Sequence, residues 1–188
     1  MRRKFVDRES ALALVKSRVK NKNLIKHMLA TEAVMAALAR KFNQDESLWA
    51  LAGLLHDLDY DQTADQPEQH GLVGARILED KGLPAELVQA VKAHNPAVGV
   101  ERKTLLDKAL YAVDPITGLL VAAALVHPQK KMSAIDGAFV MNRFKEKSFA
   151  RGADREQIKS CRHLGLSLEE FIAISLAAMQ GIARELGL

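Results

Sequence analysis

The stretch Leu54-Leu55-His56-Asp57-Leu58-Asp59-Tyr60-Asp61 decides how the rest of the chain is interpreted. An apolar run from Trp49 to Leu55 leads into an adjacent histidine and aspartate, after which the sequence becomes acidic and polar. Burying such a pair at the end of an apolar helix costs free energy unless its polar groups have partners. We therefore judge the other histidines and acids by whether they could meet His56 and Asp57 in space.

Composition indicates an ordinary globular chain. Its 188 residues are 48% hydrophobic and 27% charged, which is enough to bury one core. The net charge of +4 is too small and too dispersed to indicate nucleic-acid binding. We expect a single domain, residues 1–188, and a small-molecule partner rather than a nucleic acid.

Targeting and redox features favour the cytoplasm and no membrane partner. We find no apolar run that approaches the roughly 20 residues of a membrane span. The basic start Met1–Lys4 is followed by Asp7, Arg8 and Glu9, where a signal peptide would need an apolar stretch. Cys161 is the only cysteine, so any metal must be held by nitrogen and oxygen rather than by thiolates.

Helical periodicity runs through nearly the whole chain, and no segment alternates as a strand does. The class is therefore all-α, a compact helical bundle. Pro67 and Pro84 suit the first turns of two helices, and Pro115 lies inside another. The predicted helices cover about 8–20, 24–42, 46–57, 67–81, 84–94 and 103–126, one or two short segments between 133 and 161, and a final helix from Ser167 to Gly187.

Histidines and acids recur on separate predicted helices, each on an apolar face or near a helix end. Four imidazoles and two carboxylates in one core are too much buried polarity unless a cation joins them. Such mixed ligands suit manganese, iron, cobalt, nickel or zinc, and with enough oxygen ligands magnesium. The candidate ligands are His27, His56, Asp57, His70, His94 and Asp114.

This order of residues resembles the HD superfamily of metal-dependent phosphohydrolases. His27 matches the first histidine of the family, His56 and Asp57 its doublet, and Asp114 its last aspartate. His70 and His94 resemble the subset that binds two metals, which includes HD-type hydrolases of dinucleoside polyphosphates, and the chain looks like a bacterial protein of the HDIG type. The resemblance covers about residues 20–120. The Gly-Tyr-Pro signature of cyclic-di-GMP phosphodiesterases is absent after His94, so we do not expect that substrate.

The resemblance implies an HD-domain bundle with a metal-binding core at about 20–127 and a helical extension at about 128–188. It implies two divalent metals, with Asp57 bridging them, and makes His56 and Asp57 the catalytic pair. His27, His56 and Asp114 would complete one metal's ligands, and His70 with His94 the other's. The expected reaction is hydrolysis of a nucleotide or another small phosphate ester. Two alternatives stay open: a di-iron oxygenase on the same fold, and a non-catalytic metal- or nucleotide-binding module.

Candidate substrate contacts lie outside the ligand pattern. Lys108 follows the start of a ligand-bearing helix, and Lys147 and Arg151 are one helical turn apart in the basic segment 129–162, where they could hold a phosphate. A solvated basic face explains that segment equally well. Glu32 could serve beside the metals, whereas Asp59 and Asp61 are expected as loop acids or as partners of ligands. A homodimer is an open option.

Overall fold

The computed structural model describes residues 7–188, so the basic start Met1–Lys4 lies outside the described residues. Within that range the chain is all-α and no strand occurs. Three short 3₁₀ turns, at Pro96–Val98, Met132–Ala134 and Ser160–Leu164, separate some of the helices. The α-helices are α1 (Arg8–Arg18), α2 (Lys22–Lys41), α3 (Glu46–Leu55), α4 (Tyr60–Thr63), α5 (Leu72–Asp80), α6 (Ala85–His94), α7 (Leu105–Val126), α8 (Gly137–Lys145), α9 (Arg155–Lys159), α10 (Leu168–Gly181) and α11 (Ala183–Leu186).

The predicted helices are largely present, but two boundaries are wrong. Pro67 does not open a helix: turns occupy the residues before Leu72, and α5 begins only after Gly71, whose φ of +87° is a left-handed conformation that glycine adopts without strain. The final helix is not continuous to Gly187, since Ile182 leaves helical geometry between α10 and α11. The predicted capping box of Ser167 and Glu170 at the start of α10 is confirmed.

The core forms around α2, α3 and α7, and it extends as one apolar cluster from α1 to α11. Helices α2 and α3 pack most extensively of all, because α3 presents Gly53 to the backbone of α2. A Cβ atom at Gly53 would lie 2.8 Å from the carbonyl oxygen of Thr31, so a larger residue would push the two helices apart. This close approach places His27 of α2 opposite His56 at the end of α3.

Helix α7 is long and apolar enough, by length and composition, to cross a membrane. The expectation that no segment reaches that length was therefore wrong. However, 61% of its most apolar window is buried inside the fold, as in the core helix of a globular domain. The apolarity of α7 is accounted for by the helices that surround it, α2, α6, α9 and α10.

Pro115 is accommodated inside α7 by a contact from the C-terminal part of the chain. Proline has no N–H, so the carbonyl of Tyr111, four residues earlier, lacks its usual helical donor. The side-chain amide of Gln157 on α9 donates to that carbonyl at 2.8 Å. This hydrogen bond links α9 to α7, and α7 continues through Pro115, the residue after Asp114.

Candidate metal centre

The six predicted ligands converge at one place in the fold, from α2, the end of α3, the turn before α5, the end of α6 and the middle of α7. His27 lies one turn into α2, and His56 and Asp57 directly follow α3. His94 is the last residue of α6, and Asp114 lies in the middle of α7. His70, which was predicted inside a helix, lies instead in the turn before α5.

One half of the cluster joins His27 to His56. Their Nε2 atoms are 3.1 Å apart. Asp114 Oδ1 lies 3.2 Å from His27 Nε2 and 3.8 Å from His56 Nε2. Asp57 approaches both imidazoles, with Oδ2 at 3.5 Å from His27 Nε2 and Oδ1 at 3.4 Å from His56 Nε2. Two nitrogens and two carboxylates therefore surround a single point.

The other half joins His70 to His94 through the same aspartate. The Nε2 atoms of these two histidines are 3.0 Å apart. Asp57 Oδ1 lies 3.2 Å from His70 Nε2 and 3.5 Å from His94 Nε2. Among residues 7–188, His27, His56 and Asp57 form one group with metal-site spacing, and Asp57, His70 and His94 form another. Asp57 is thus common to both groups.

The second nitrogen of two imidazoles faces a backbone carbonyl. His56 Nδ1 lies 2.8 Å from the carbonyl oxygen of Gly53, and His94 Nδ1 lies 2.6 Å from that of Val91. A carbonyl oxygen can only accept, so Nδ1 carries the proton in both rings. Nε2 therefore presents a lone pair to the cluster, which is the arrangement found in metal-ligating histidines.

The other two imidazoles reach the same tautomer through side chains. The hydroxyl of Thr117 donates to the carbonyl of Asp114 at 2.9 Å, which leaves its oxygen to accept from His27 Nδ1 at 2.9 Å. The carboxylate of Asp59 accepts from His70 Nδ1, also at 2.9 Å. Four neutral imidazoles in these tautomers would place lone pairs against each other at about 3 Å, so the donor set fits a cation between them.

The electrostatics of the clustered side chains also fit a cation at this place. Burial lowers the pKa of His56, but the nearby carboxylates of Asp57 and Asp114 outweigh burial and raise the pKa to about 9. Burial of His70 is likewise outweighed by Asp57 and Asp59, which raise its pKa to about 10. Burial acts to raise the pKa of Asp57, yet the surrounding histidines hold that pKa well below its ordinary value. The cluster thus retains positive charge between its carboxylates, where a divalent cation would be held more strongly.

The structure shows how Asp59 is bonded, which was not predicted from the sequence. Its side chain is fully buried and accepts hydrogen bonds from His70 Nδ1, from the backbone N–H of Gly71 at 2.9 Å and from that of Gly74 at 2.7 Å. A Cβ atom at Gly74 would lie 3.3 Å from this carboxylate, which explains the small residue there. The signal in the sequence was the acid two residues after Asp57, together with the two glycines that follow His70. Asp61, by contrast, is exposed and accepts from the backbone N–H of Lys20.

The other predicted contacts are not assembled around the six ligands. Glu32 forms a bidentate ion pair with Arg8 at 2.6 and 2.9 Å. Lys108 lines a small cleft of about 270 Å³ together with Arg102, Tyr111, Arg162 and His163. A role for Lys108 in substrate binding stays a prediction.

Lys147 and Arg151 are not one helical turn apart, as predicted, because residues 147–152 form turns. The guanidinium of Arg155 organises this segment by donating to five backbone carbonyls, with the shortest contacts, both 2.6 Å, to Phe149 and Ala153. Both side chains are exposed, and their role in substrate binding stays a prediction.

A cleft of about 620 Å³ opens beside the cluster. His27 and Thr117 are among its lining residues, and so is Tyr60, whose ring contacts the ring of His70 edge-on at 5.4 Å between centroids. The side chains of His27 and Asp114 are 22% and 31% exposed, whereas His56 is fully buried. Access to the cluster is therefore from the His27 and Asp114 side.

Comparison with known proteins matches this cluster to a described family. The profile of the HD domain matches residues 24–124, which is more than half of the chain. An uncharacterised protein of Methanocaldococcus jannaschii is 31% identical over an alignment of 116 positions, which covers 58% of this chain and 66% of that protein. Ribonuclease Y of Acidothermus cellulolyticus is 28% identical over 96 residues, 51% of this chain and 19% of the ribonuclease. A tRNA (cytidine(56)-2'-O)-methyltransferase of Thermoplasma volcanium is 31% identical over 105 residues, 54% of this chain and 30% of the methyltransferase.

The chain therefore spans less than two thirds of the length of each of these relatives. No solved structure matched the chain.

Proposed function

The chain belongs to the HD domain family, within the superfamily of metal-dependent phosphohydrolases, and we propose that it hydrolyses a nucleotide or another small phosphate ester. The family membership supports hydrolysis of a phosphate ester as the reaction class. The relatives named as a ribonuclease and a methyltransferase are much longer proteins, so their names do not supply the substrate.

The observation that carries this proposal is the convergence of four imidazoles, each with its Nε2 directed inward, on two carboxylates. We assign His27, His56, Asp57 and Asp114 to one divalent metal, and Asp57, His70 and His94 to a second. A bound pair of such metals supplies a water acidified towards neutral pH and neutralises charge on the phosphoryl oxygens. In hydrolysis the oxygen of water bonds to phosphorus, the ester P–O bond breaks, and the alcohol leaves with one proton.

The chain's own groups would prepare the site for this reaction. The carbonyls of Gly53 and Val91, the hydroxyl of Thr117 and the carboxylate of Asp59 hold the four imidazoles in the ligating tautomer. Because these partners already hold the imidazoles in place, little reorganisation would be needed when metal binds. The buried side of the cluster excludes water, and the open side beside His27 admits the substrate.

The test begins with protein stripped of metal and reloaded separately with manganese, iron, cobalt, nickel, zinc or magnesium. Metal content is measured by plasma mass spectrometry, and phosphate release is measured over nucleotides, dinucleoside polyphosphates and alkyl and aryl phosphates. We expect about two metals per chain and turnover of at least one substrate class. A chain that binds metal yet releases phosphate from no ester with any of these ions contradicts the proposal.

The same ligands also suit a pair of irons, so oxygenase chemistry is the competing function. Turnover with manganese or cobalt in the absence of oxygen supports hydrolysis. Oxygen uptake that depends on iron, with no phosphate release, supports the oxygenase instead. We further propose action in the cytoplasm, which the single, buried Cys161 supports because thiols stay reduced there.

A further inference from the structure

Most residues that line the cleft beside the candidate metal centre are not candidate metal ligands. The walls of the cleft are mainly apolar, with Leu24 from α2 and Val121 and Leu125 from α7, and no aspartate or glutamate lines it among the residues that the structure describes. Tyr60 and Leu125 are 44% and 50% exposed. Large hydrophobic side chains left open beside a polar site are typical of ligand pockets, where they contact the apolar part of a bound molecule.

The position of the cleft connects it to both halves of the cluster. His27, which belongs to the first half, lines it directly, and so does Thr117, whose hydroxyl contacts His27 Nδ1. Tyr60 lines it as well and contacts His70 of the second half. His27 is the one candidate ligand that lines the cleft, so an ester whose phosphate is held at the centre could extend past His27 into it.

Lys26 adds one positive charge to the cleft. Its Nζ atom lies against the backbone of Gly187, 3.1 Å from the place that a Cβ atom there would take, and it pairs with no acid among residues 7–188. An ammonium group beside apolar walls, with no aspartate or glutamate of residues 7–188 in the same lining, suits an anionic oxygen of a ligand. The volume of about 620 Å³ is that of a pocket for one small molecule.

We propose that this cleft binds the organic part of a phosphate ester the size of a mononucleotide. An aromatic or heterocyclic group packs against Tyr60, Val121 and Leu125, and Lys26 contacts an anionic oxygen of the same molecule. This inference rests on the proposed phosphohydrolase function and deepens it by naming the substrate class. It favours a single nucleoside phosphate over an RNA strand, whose other nucleotides would lie outside the cleft.

Gly118 provides a way to fill the cleft without disturbing the fold. It lies on α7 and lines the cleft, and a Cβ atom there would meet no other atom within 4 Å. We expect Gly118→Leu to raise KM for aryl phosphates and nucleoside 5'-monophosphates roughly tenfold or more, since pocket contacts of this size discriminate by such factors. KM for methyl phosphate, which places no group in the cleft, should change less than about twofold. Gly181→Leu is the matched control, because Gly181 is also helical with open space beside it and does not line the cleft.

A binding measurement separates this inference from the proposed function. Calorimetric titration of the metal-loaded protein with phenylphosphonate, which is not hydrolysed, should show weaker binding in Gly118→Leu and unchanged binding in Gly181→Leu. If wild-type protein hydrolyses esters but treats aryl and methyl phosphates alike, or if Gly118→Leu changes neither KM nor phenylphosphonate binding, the cleft assignment is wrong while the phosphohydrolase proposal stands. Preferential cleavage of RNA oligonucleotides over mononucleotides also overturns it. If no ester is hydrolysed, the proposed function itself fails.

Lys26 is tested by Lys26→Gln, with Lys22→Gln as the control on the same helix, since Lys22 is exposed and outside the cleft. We expect Lys26→Gln to weaken phenylphosphonate binding and to reduce its salt dependence, and Lys22→Gln to leave both unchanged. Equal effects of the two substitutions would mean that only overall charge matters, and the assignment of Lys26 would be withdrawn.

Discussion

Asp59→Asn is the substitution that most directly tests how the site is built. The carboxylate of Asp59 accepts from His70 Nδ1 through one oxygen and from the N–H groups of Gly71 and Gly74 through the other. An asparagine keeps the shape, but it has only one acceptor oxygen. That oxygen is best placed against the two backbone donors, so the amide NH₂ then faces His70 Nδ1.

A donor in that position reverses the tautomer of His70. Nδ1 must accept from the amide, and the proton moves to Nε2, which lies 3.0 Å from His94 Nε2 and 3.2 Å from Asp57 Oδ1. A protonated Nε2 cannot ligate a metal. Loss of such outer hydrogen-bonding partners typically costs 10–100-fold in metal affinity, or about 1.4–2.8 kcal/mol. We expect that loss at the metal assigned to Asp57, His70 and His94.

The assay is a competition titration against a chelating indicator, which gives a separate affinity for each metal, with metal content checked by mass spectrometry. The other metal, assigned to His27, His56, Asp57 and Asp114, should lose clearly less than tenfold in affinity, because none of the hydrogen bonds that orient its histidines comes from Asp59. Asp61→Asn is the matched control, because it removes the same charge from an exposed acid nearby. Thermal unfolding of both variants guards against a general loss of structure. Unchanged affinities in Asp59→Asn, or equal weakening at both metals in a stably folded variant, would refute the tautomer argument.

Four further predictions concern the centre and its frame. Asp57→Ala should abolish both metal retention and turnover, since Asp57 is common to both groups, and unchanged metal content by mass spectrometry contradicts this. Gly53→Ala should lower the free energy of unfolding by about 1–3 kcal/mol in chemical denaturation, because the new Cβ atom would meet the α2 backbone at 2.8 Å. Gly118→Ala is the control: it has open space beside it, so it should leave the free energy of unfolding unchanged or raise it. The pKa values of His56 and His70 are raised to about 9 and about 10, so metal binding at pH 7 displaces protons from these rings. The apparent metal affinity should therefore rise with pH up to about 9–10. Calorimetry in two buffers of different ionisation enthalpy should detect the released protons. In metal-free protein the stabilisation from these two groups is complete below the ordinary histidine pKa of about 6.5, and unfolding measurements should show it lost as pH rises through about 9–10.

Much of the helical framework could be predicted because the periodicity of apolar residues is a local property. The starts of α3, α6 and α10 coincide closely with the predictions, since caps and prolines mark them. The prediction failed at Pro67 and Ile182, where no strong local signal distinguishes a turn from a helix. At Pro67 the outcome depends on Gly71, whose backbone lies so close to Val91 of α6 that a Cβ atom would approach its carbonyl at 2.9 Å. Contacts between distant segments therefore decided that boundary.

The sequence by itself determined which residue types are available for chemistry: four histidines and two aspartates in the order of the HD family, with no thiolate set. It also determined the all-α class, because the spacing of apolar residues is repeated in nearly every segment. It did not determine what Asp59 does, where Lys147 and Arg151 lie, or which surface faces the centre. Those depend on tertiary structure, since a carboxylate at one end of a turn acquires its role only when His70, Gly71 and Gly74 fold back upon it. The inward direction of Nε2 is a tertiary property for His27 and His70, because Thr117 and Asp59 hold their Nδ1 atoms. For His56 and His94 it is local, because carbonyls three residues earlier in the chain hold Nδ1.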